Sequence, residues 1–158
     1  MDLKKPLIVT DPGLLPTPAF SLLRACLPQA AVFSQVHSNP VEEDVVAAAL
    51  ALTDGACDCV VGFGGGSALD VAKICRLAAV PLSKSWYQVG GGDELPRIAP
   101  FIAVPTTAGT GSEVGRSSVV TLGKTKRVIF HPSLLASLVI LDPRVTVDLP
   151  PNLTAATG

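Results

Sequence analysis

The sequence predicts an α/β fold in which a doubly wound, mainly parallel sheet is covered by helices, with one β-hairpin as an excursion. Three observations predict it. Short apolar runs alternate with amphipathic helical segments along the chain. The run from Cys57 to Phe63 is apolar on both faces apart from Asp58, as expected of a central parallel strand. A glycine turn then leads directly into a helix, and right-handed crossovers would place such strands side by side.

The first strand and helix are indicated by an apolar run and by two prolines. Leu7–Thr10 is a short apolar run that ends at the turn signal Asp11–Gly13. Pro16 and Pro18 suit the first turn of a helix whose apolar positions run from Phe20 to Cys26. The sequence therefore predicts a strand, a turn and a helix before residue 27.

The second strand and helix follow the same pattern. Ala30–Phe33 is the apolar run of the strand. Asn39 offers an N-cap, with Pro40 at the first helical position. Glu42–Asp44 then place negative charge in the first turn, where the helix dipole favours it, and Gly55 ends the helix.

The third strand, Cys57–Phe63, leads into a turn where only glycine fits, Gly64–Gly66. Ser67 is the expected N-cap of the next helix, because Asp70 follows it at the spacing of a capping box. Apolar residues at helical spacing continue this helix to about Ala79. A helix start bared by glycines presents free backbone N–H groups and the positive end of its dipole, and proteins hold phosphates in this way.

After this helix the sequence alternates between polar and apolar stretches. Pro81–Pro96 is polar and glycine-rich, and we interpret it as a surface excursion. Pro100–Pro105 is the fourth strand. It runs straight into Thr106–Glu113, a loop dense in hydroxyl groups and glycine.

The last elements are a hairpin and a strand. Ser118–Leu122 and Arg127–Phe130 flank Gly123-Lys124 and are typical of a hairpin. Leu138–Leu141 is expected as a last buried strand, closed by Asp142-Pro143.

The loops that carry polar or glycine residues all follow predicted strands. In doubly wound sheets ligands bind beyond the carboxyl ends of the strands. Asp11 follows the first strand, Ser34 the second, the glycine turn the third, and the Thr106 loop the fourth. One nucleotide could therefore contact all four.

Composition limits the classes of function. The chain has 158 residues, of which 48% are hydrophobic, and this suits one domain with a substantial core. The net charge of −1 leaves no basic surplus for binding the backbone of a nucleic acid. The longest apolar run, Val45–Leu52, is far shorter than the roughly 18 residues of a membrane span, and Met1–Pro6 has no apolar signal region. We expect a soluble, cytoplasmic protein with no nucleic-acid or membrane partner.

The cysteines and histidines do not suggest a metal site. Cys26, Cys57, Cys59 and Cys75 lie in apolar surroundings and not at the spacing of zinc ligands, so they are interpreted as reduced core thiols rather than zinc or redox groups. The two histidines are too few for a histidine-rich metal site.

The glycine turn alone leaves two interpretations open, a structural tight turn or a phosphate site. It does not match the G-x-G-x-x-G fingerprint, because position 67 is serine, and no Lys-Ser/Thr pair of a P-loop follows it. The Thr106 loop favours a phosphate site, because small residues after a buried strand cost stability unless something needs close approach to the backbone. For Asp70 and Lys73, a cap and a solvated helix face remain alternatives to a functional role.

Taken together, the motifs resemble the iron-containing (group III) alcohol dehydrogenase family, from about Lys5 to Gly158. The matching motifs, in chain order, are Val9-Thr10-Asp11, Val32-Phe33 with Asn39-Pro40, Gly64-Gly65-Gly66-Ser67-x-x-Asp70-x-Ala72-Lys73, Pro105-Thr106-Thr107-Ala108-Gly109-Thr110-Gly111-Ser112-Glu113, Leu141-Asp142-Pro143 and Leu149-Pro150. Each motif is weak singly, but the glycine and threonine motifs in this order are highly specific.

The resemblance implies an NAD(P)-dependent oxidoreductase of a small alcohol or aldehyde, with a divalent metal, iron or zinc, that polarises the substrate oxygen. It implies that residues 1–158 form a Rossmann-like dinucleotide-binding domain of the dehydroquinate synthase type. A helical C-terminal domain would supply one aspartate and three histidines to the metal, and the chain ends just before that aspartate would occur. No catalytic residue or metal ligand is therefore expected in this chain, and alone it should be catalytically silent.

The resemblance also implies roles in cofactor binding. Gly64–Ser67 would hold the pyrophosphate, Thr106, Thr107 and Thr110 would line the adenosine and phosphate side, and Lys126 would reach toward a ribose. Ser34 departs from the family, in which many members have an aspartate that binds the adenosine ribose; because an acid would repel a 2′-phosphate, we expect NADP(H) to be favoured over NAD(H). The expected cofactor-binding residues are Asp11, Ser34, Gly64, Gly65, Gly66, Ser67, Asp70, Thr106, Thr107, Thr110 and Lys126.

Alternatives to this assignment remain. The chain could be a free-standing, non-catalytic nucleotide-binding module, or the corresponding domain of a glycerol dehydrogenase or a dehydroquinate synthase. The family usually has a pair of strands before Lys5, so one sheet edge is expected to be unpaired and prone to association. We expect a homo-oligomer, specifically a dimer.

Overall fold

A computed structural model describes residues 4–157. Met1–Leu3, part of the stretch in which no signal region is expected, and Gly158, the last residue of the resemblance, lie outside the described residues. The described strands are β1 (Pro6–Val9), β2 (Ala31–Phe33), β3 (Cys59–Gly64), β4 (Phe101–Pro105), β5 (Ser117–Leu122), β6 (Thr125–Phe130) and β7 (Leu138–Val139). The described α-helices are α1 (Pro18–Cys26), α2 (Glu42–Asp54), α3 (Gly66–Ala78) and α4 (Pro151–Thr157).

Five of these strands form one parallel sheet in the order β2-β1-β3-β4-β7. The predicted α/β class and the mainly parallel sheet are therefore confirmed. Strands β5 and β6 form a separate antiparallel hairpin, as predicted. Because the five strands of the sheet are parallel, the loops after β1 to β4 all leave from one edge.

The two faces of the sheet are covered by different helices. Leu7 and Val9 of β1 face α2 and α3, whereas Ile8 between them faces α1. This alternation is that of a strand buried on both faces. The hairpin adds a third apolar cluster beyond α3, in which Val120 and Ile129 meet Leu77.

The expected start of α2 at Asn39-Pro40 is wrong. Val41 is the N-cap and the helix begins at Glu42. The backbone carbonyl of Pro40 instead accepts a hydrogen bond from the N–H of Thr121 in the hairpin, at 2.7 Å. Asp44 satisfies the start of the helix by accepting from the N–H of Val41 at 3.1 Å.

The expected capping role of Ser67 is also wrong. Gly65 is the N-cap of α3 and the helix begins at Gly66, so Ser67 already lies within the first turn. Its hydroxyl donates to the backbone carbonyl of Ser38 at 2.7 Å instead of accepting from the helix. Asp70 likewise does not reach back to the cap.

Two expectations about exposure need correction. The stretch Pro81–Pro96 is not wholly a surface excursion, because Trp86 and Val89 are buried in the cluster between α3 and the hairpin. The last strand has only two residues and is not buried, since Leu138 and Leu141 are largely exposed. Within residues 4–157 it pairs with β4 alone and forms an edge strand of the sheet.

The four cysteines are unpaired, but they are not all core residues as expected. Cys59 and Cys75 are buried, Cys57 is half-buried, and Cys26 is exposed at the end of α1. Burial raises the pKa of the Cys75 thiol to about 12. Among residues 4–157, no helix has the length and apolar character needed to cross a membrane.

The close packing of α3 on β3 depends on Gly62. A Cβ atom at this position would lie 2.9 Å from the Phe101 ring and 3.0 Å from both Leu69 and Ala72. Glycine therefore permits the contact between helix and strand.

We expect Gly62→Ala to lower the free energy of unfolding by about 1–3 kcal/mol, because the added methyl overpacks the core. Urea denaturation measures the change. Gly92→Ala is the control, since no atom lies within 4 Å of a Cβ there. Equal stabilities of the two variants would contradict the packing argument.

Candidate cofactor-binding site

The glycine turn at the end of β3 exposes the start of α3. Gly64 has a φ of +153°, and a Cβ on it would lie 2.7 Å from the Cβ of Ala68. Gly65 caps the helix without a side chain, so the backbone N–H groups of the first turn have no capping partner. Together with the helix dipole, these N–H groups favour an anion at this edge of the sheet.

The expectation that only glycine fits at Gly65 is wrong, because neither the backbone nor the packing requires a glycine there. Its φ of −76° and ψ of −171° are extended backbone that other residues adopt readily. A Cβ on Gly65 would lie 3.4 Å from the nearest atom, which belongs to Thr107, and this is an ordinary contact distance. The side chain would occupy the space between the turn and the loop Thr106–Glu113, which we call the threonine loop. The structure therefore has a small cradle that a Cβ would fill.

Asp11 lies beside the glycine turn because β1 is the neighbour of β3. Its Oδ2 would be 3.4 Å from a Cβ on Gly64, and its Oδ1 accepts from the N–H of Gly13 at 3.0 Å. Burial raises the pKa of the Asp11 carboxyl, against the opposing effect of the hydrogen bond from Gly13. The structure thus places a partly desolvated carboxyl group on one side of the turn.

The threonine loop lies on the other side of the turn, after β4. The N–H of Thr106 donates to the carbonyl of Gly64 at 3.0 Å, and the Thr106 side chain is buried. Thr107 and Thr110 face the turn, because Cβ atoms on Gly65 and Gly66 would lie 3.4 Å and 3.0 Å from their methyl groups. Thr106 thus meets the turn through its backbone, whereas Thr107 and Thr110 meet it through their side chains.

A groove of about 270 Å³ continues from the first turn of α3 toward the hairpin. Lys126 lies on its wall and donates from Nζ to Oδ1 of Asn39 at 2.9 Å. The residues that line the groove are Ser38, Asn39, Pro40, Ser67, Asp70, Val119, Thr121 and Lys126. Five of these were not expected as site residues: Ser38, Asn39, Pro40, Val119 and Thr121. The alternation along β5 was the one signal that could have indicated Val119 and Thr121.

Ser34 does not join this group. It follows β2, and β1 lies between β2 and β3, so two strand spacings, roughly 10 Å, separate the ends of their backbones. Asp11 occupies the end of the intervening strand.

Asp70 and Lys73 form a buried network, so a solvated helix face is excluded for them. Asp70 accepts from the Ser112 hydroxyl at 2.6 Å and from the N–H of Val119 at 2.9 Å. Lys73 is fully buried and donates to Oγ of Ser112 and to the carbonyl of Ser117, both at 2.9 Å. Burial raises the pKa of Asp70 and lowers that of Lys73.

The described residues do not fit the divalent metal that the resemblance implies. Within residues 4–157 there is no group of three or more His, Cys, Asp or Glu side chains that could hold an ion. The histidines have other partners: His37 pairs with Asp44 at 2.7 Å, and His131 lies 2.6 Å from the Ser133 hydroxyl.

The parallel sheet, the uncapped helix and the flanking acidic and threonine side chains define a nucleotide-binding type of α/β domain. The sequence profile of the iron-containing alcohol dehydrogenases matches residues 1–143. The chain belongs to this family.

Curated relatives agree with this assignment. The chain is 38% identical over 165 residues to 4-hydroxybutyrate dehydrogenase of Cupriavidus necator, an alignment that covers 99% of this chain and 43% of the relative. It is 40% identical over 160 residues to long-chain-alcohol dehydrogenase 1 of Geobacillus thermodenitrificans, with coverage of 96% and 40%. The chain thus spans about two-fifths of the length of these relatives.

Solved structures show the same fold. A 1,3-propanediol oxidoreductase superimposes with a TM-score of 0.91 at 35% identity, covering 98% of this chain and 42% of that one. A sulfoacetaldehyde reductase from Bifidobacterium kashiwanohense, solved in complex with NAD⁺, superimposes with a TM-score of 0.88 at 34% identity, covering 98% and 43%.

Proposed function

We propose that this chain binds a nicotinamide adenine dinucleotide as the cofactor-binding part of an oxidoreductase that acts on a small alcohol or aldehyde. The observation that carries the proposal is the cradle at Gly65, where neither backbone nor packing requires a glycine. A ligand that needs close approach to the helix N-terminus accounts for it. Membership of the alcohol dehydrogenase family and the NAD⁺ complex of the similar reductase support the same class of ligand.

The arrangement of polar groups suggests how the cofactor lies. The pyrophosphate would accept hydrogen bonds from the first-turn N–H groups at Gly64–Ser67. In dinucleotide-binding folds an acidic side chain hydrogen-bonds the 2′-hydroxyl of the adenosine ribose. Here Asp11, at the end of β1 beside the glycine strand, takes this role, whereas Thr107 and Thr110 line the phosphates from the other side of the turn. The nicotinamide half would extend along the groove to Lys126, whose contact with a ribose stays a prediction.

This arrangement changes the expected choice of cofactor. The preference for NADP(H) rested on the absence of an acid at Ser34, yet Ser34 is separated from the glycine turn by β1. Asp11 is the carboxyl group beside the turn, and its negative charge would repel a 2′-phosphate. We therefore propose NAD(H) as the preferred cofactor, in place of NADP(H).

The cofactor supplies hydride transfer, and the residues of this chain supply its position. The helix N-terminus and the threonine loop fix the pyrophosphate, Asp11 orients the adenosine ribose, and Lys126 approaches the second ribose. No residue of this chain is assigned to the metal. The homodimer and the cytoplasmic location stay predictions.

We expect Gly65→Val to weaken binding of NADH by at least about tenfold, because the side chain fills the space that the pyrophosphate needs. The midpoint of thermal unfolding should change little, since the position accepts a Cβ. Titration of NADH fluorescence gives the affinity, with Gly92→Val as the matched control. Unchanged NADH binding in Gly65→Val would refute the cradle.

Removal of the negative charge at Asp11 should alter the preference between NADH and NADPH. We expect the unaltered chain to bind NADH more tightly than NADPH, and Asp11→Ala to raise the affinity for NADPH about tenfold by removing the repulsion. Ser34→Asp, measured by the same titration, should leave the ratio of the two affinities unchanged. A wild-type preference for NADPH that Ser34→Asp reverses would instead assign the selectivity to Ser34.

A further inference from the structure

Asp70 and Lys73 connect the helix that starts at the glycine turn to the hairpin that carries Lys126. Apart from their mutual approach of 3.8 Å, the side-chain contacts described for both leave α3. Ser112, which precedes the hairpin, bridges the two: its hydroxyl donates to Asp70 and accepts from Lys73. The remaining contacts reach the backbone of β5, at the carbonyl of Ser117 and the N–H of Val119.

These groups are committed to one another rather than to a ligand. Each carboxylate oxygen of Asp70 already accepts a hydrogen bond, at 2.6 Å and 2.9 Å. Lys73 is fully buried, so a cofactor in the groove has no access to its ammonium group. Asp70 borders the groove with only 14% of its side chain exposed.

Stability does not explain such a network. Removing two opposite charges from water has a desolvation cost that commonly equals or exceeds their attraction, and apolar replacements are often neutral or stabilising. A geometric role does explain it, because hydrogen bonds to Ser117 and Val119 fix both the distance and the register of β5 against α3.

The position of β5 decides the shape of the groove. Val119 and Thr121 of β5 line it, and Thr121 is the cross-strand partner of Lys126. A two-stranded hairpin has little stability of its own and takes its position from what it packs against. Loosening of the contacts at Ser117 and Val119 would therefore move Lys126.

We propose that Asp70, Ser112 and Lys73 are positioning residues, which hold the hairpin against α3 so that Lys126 meets the nicotinamide half of the cofactor. This assigns Asp70 a structural part in cofactor binding in place of direct contact. The inference rests on the proposed function. It adds that only binding of the nicotinamide half of the ligand depends on these three residues.

The test compares NAD⁺ with ADP, which lacks the second ribose and the nicotinamide. We expect Lys73→Met to weaken NAD⁺ about tenfold and ADP less than about twofold in calorimetric titrations, because only the half near Lys126 is displaced. Ser112→Ala should likewise weaken NAD⁺ more than ADP. Ser112→Thr, which keeps the hydroxyl, should restore the affinity for NAD⁺. Ser112→Ala also serves if Lys73→Met does not fold.

The control is Phe20→Leu, which lowers stability from the opposite face of the sheet, where Phe20 packs against Phe63. It should leave the ratio of NAD⁺ to ADP affinity unchanged. In the Lys126→Met background, Lys73→Met should cause no further loss of NAD⁺ affinity, since it acts through Lys126.

Equal weakening of NAD⁺ and ADP, or additive losses in the double variant, would overturn the positioning role and leave the proposed function intact. Failure of the wild-type chain to bind either ligand would overturn both. A readout without ligand is hydrogen exchange, in which Lys73→Met should accelerate exchange of the Val119 N–H, now held by Asp70. Unchanged exchange there would also contradict the inference.

Discussion

The close approach of α3 to the end of β3 is the constraint on which the fold and the site both depend. Gly62 lets the helix pack directly on the strand, and the positive φ of Gly64 turns the chain into the helix within two residues. The helix can therefore bury Leu69 and Ala72 against the sheet while its N-terminus faces the carboxyl edge. Because β1 and β4 flank β3, the same edge brings Asp11 and the threonine loop to that N-terminus.

Buried polar side chains of α3 also hold the hairpin and the neighbouring loops in place. Lys73 fixes the start of the hairpin, whereas Arg76, one turn later, donates to the carbonyls of Ala99 and Ser133 at 3.0 Å and 3.1 Å. Arg76 also lies over the Phe101 ring at 5.2 Å, and burial lowers its pKa to about 10. Both cations are buried and donate to backbone carbonyls. Both tie irregular segments to the helix, so one rigid element sets the position of the loops and the hairpin.

Sequence reasoning could predict the parts of this arrangement that depend on local pattern. The glycine turn, the parallel strands and the hairpin follow from periodicity and turn chemistry, and the family follows from the order of the motifs. Sequence reasoning failed where the local structure is determined by a contact with a residue far away in the sequence. Pro40 does not start a helix, because its carbonyl is bound by Thr121, and Lys73 is not solvated, because the hairpin covers it. The proposed role of Asp11 in place of Ser34 depends on strand order, which motifs alone do not give. The proposed preference for NAD(H) thus rests on topology.

The central claim is that one dinucleotide lies across the carboxyl edge, with its pyrophosphate at the N-terminus of α3 and its two halves on opposite sides. Titration of the isotope-labelled chain with NAD⁺, followed through its backbone amide NMR signals, tests this most directly. We expect the largest shifts at Gly65, Gly66 and Ser67, with further shifts at Thr107 and near Lys126. Shifts confined to other surfaces, or none at saturating NAD⁺, would contradict it.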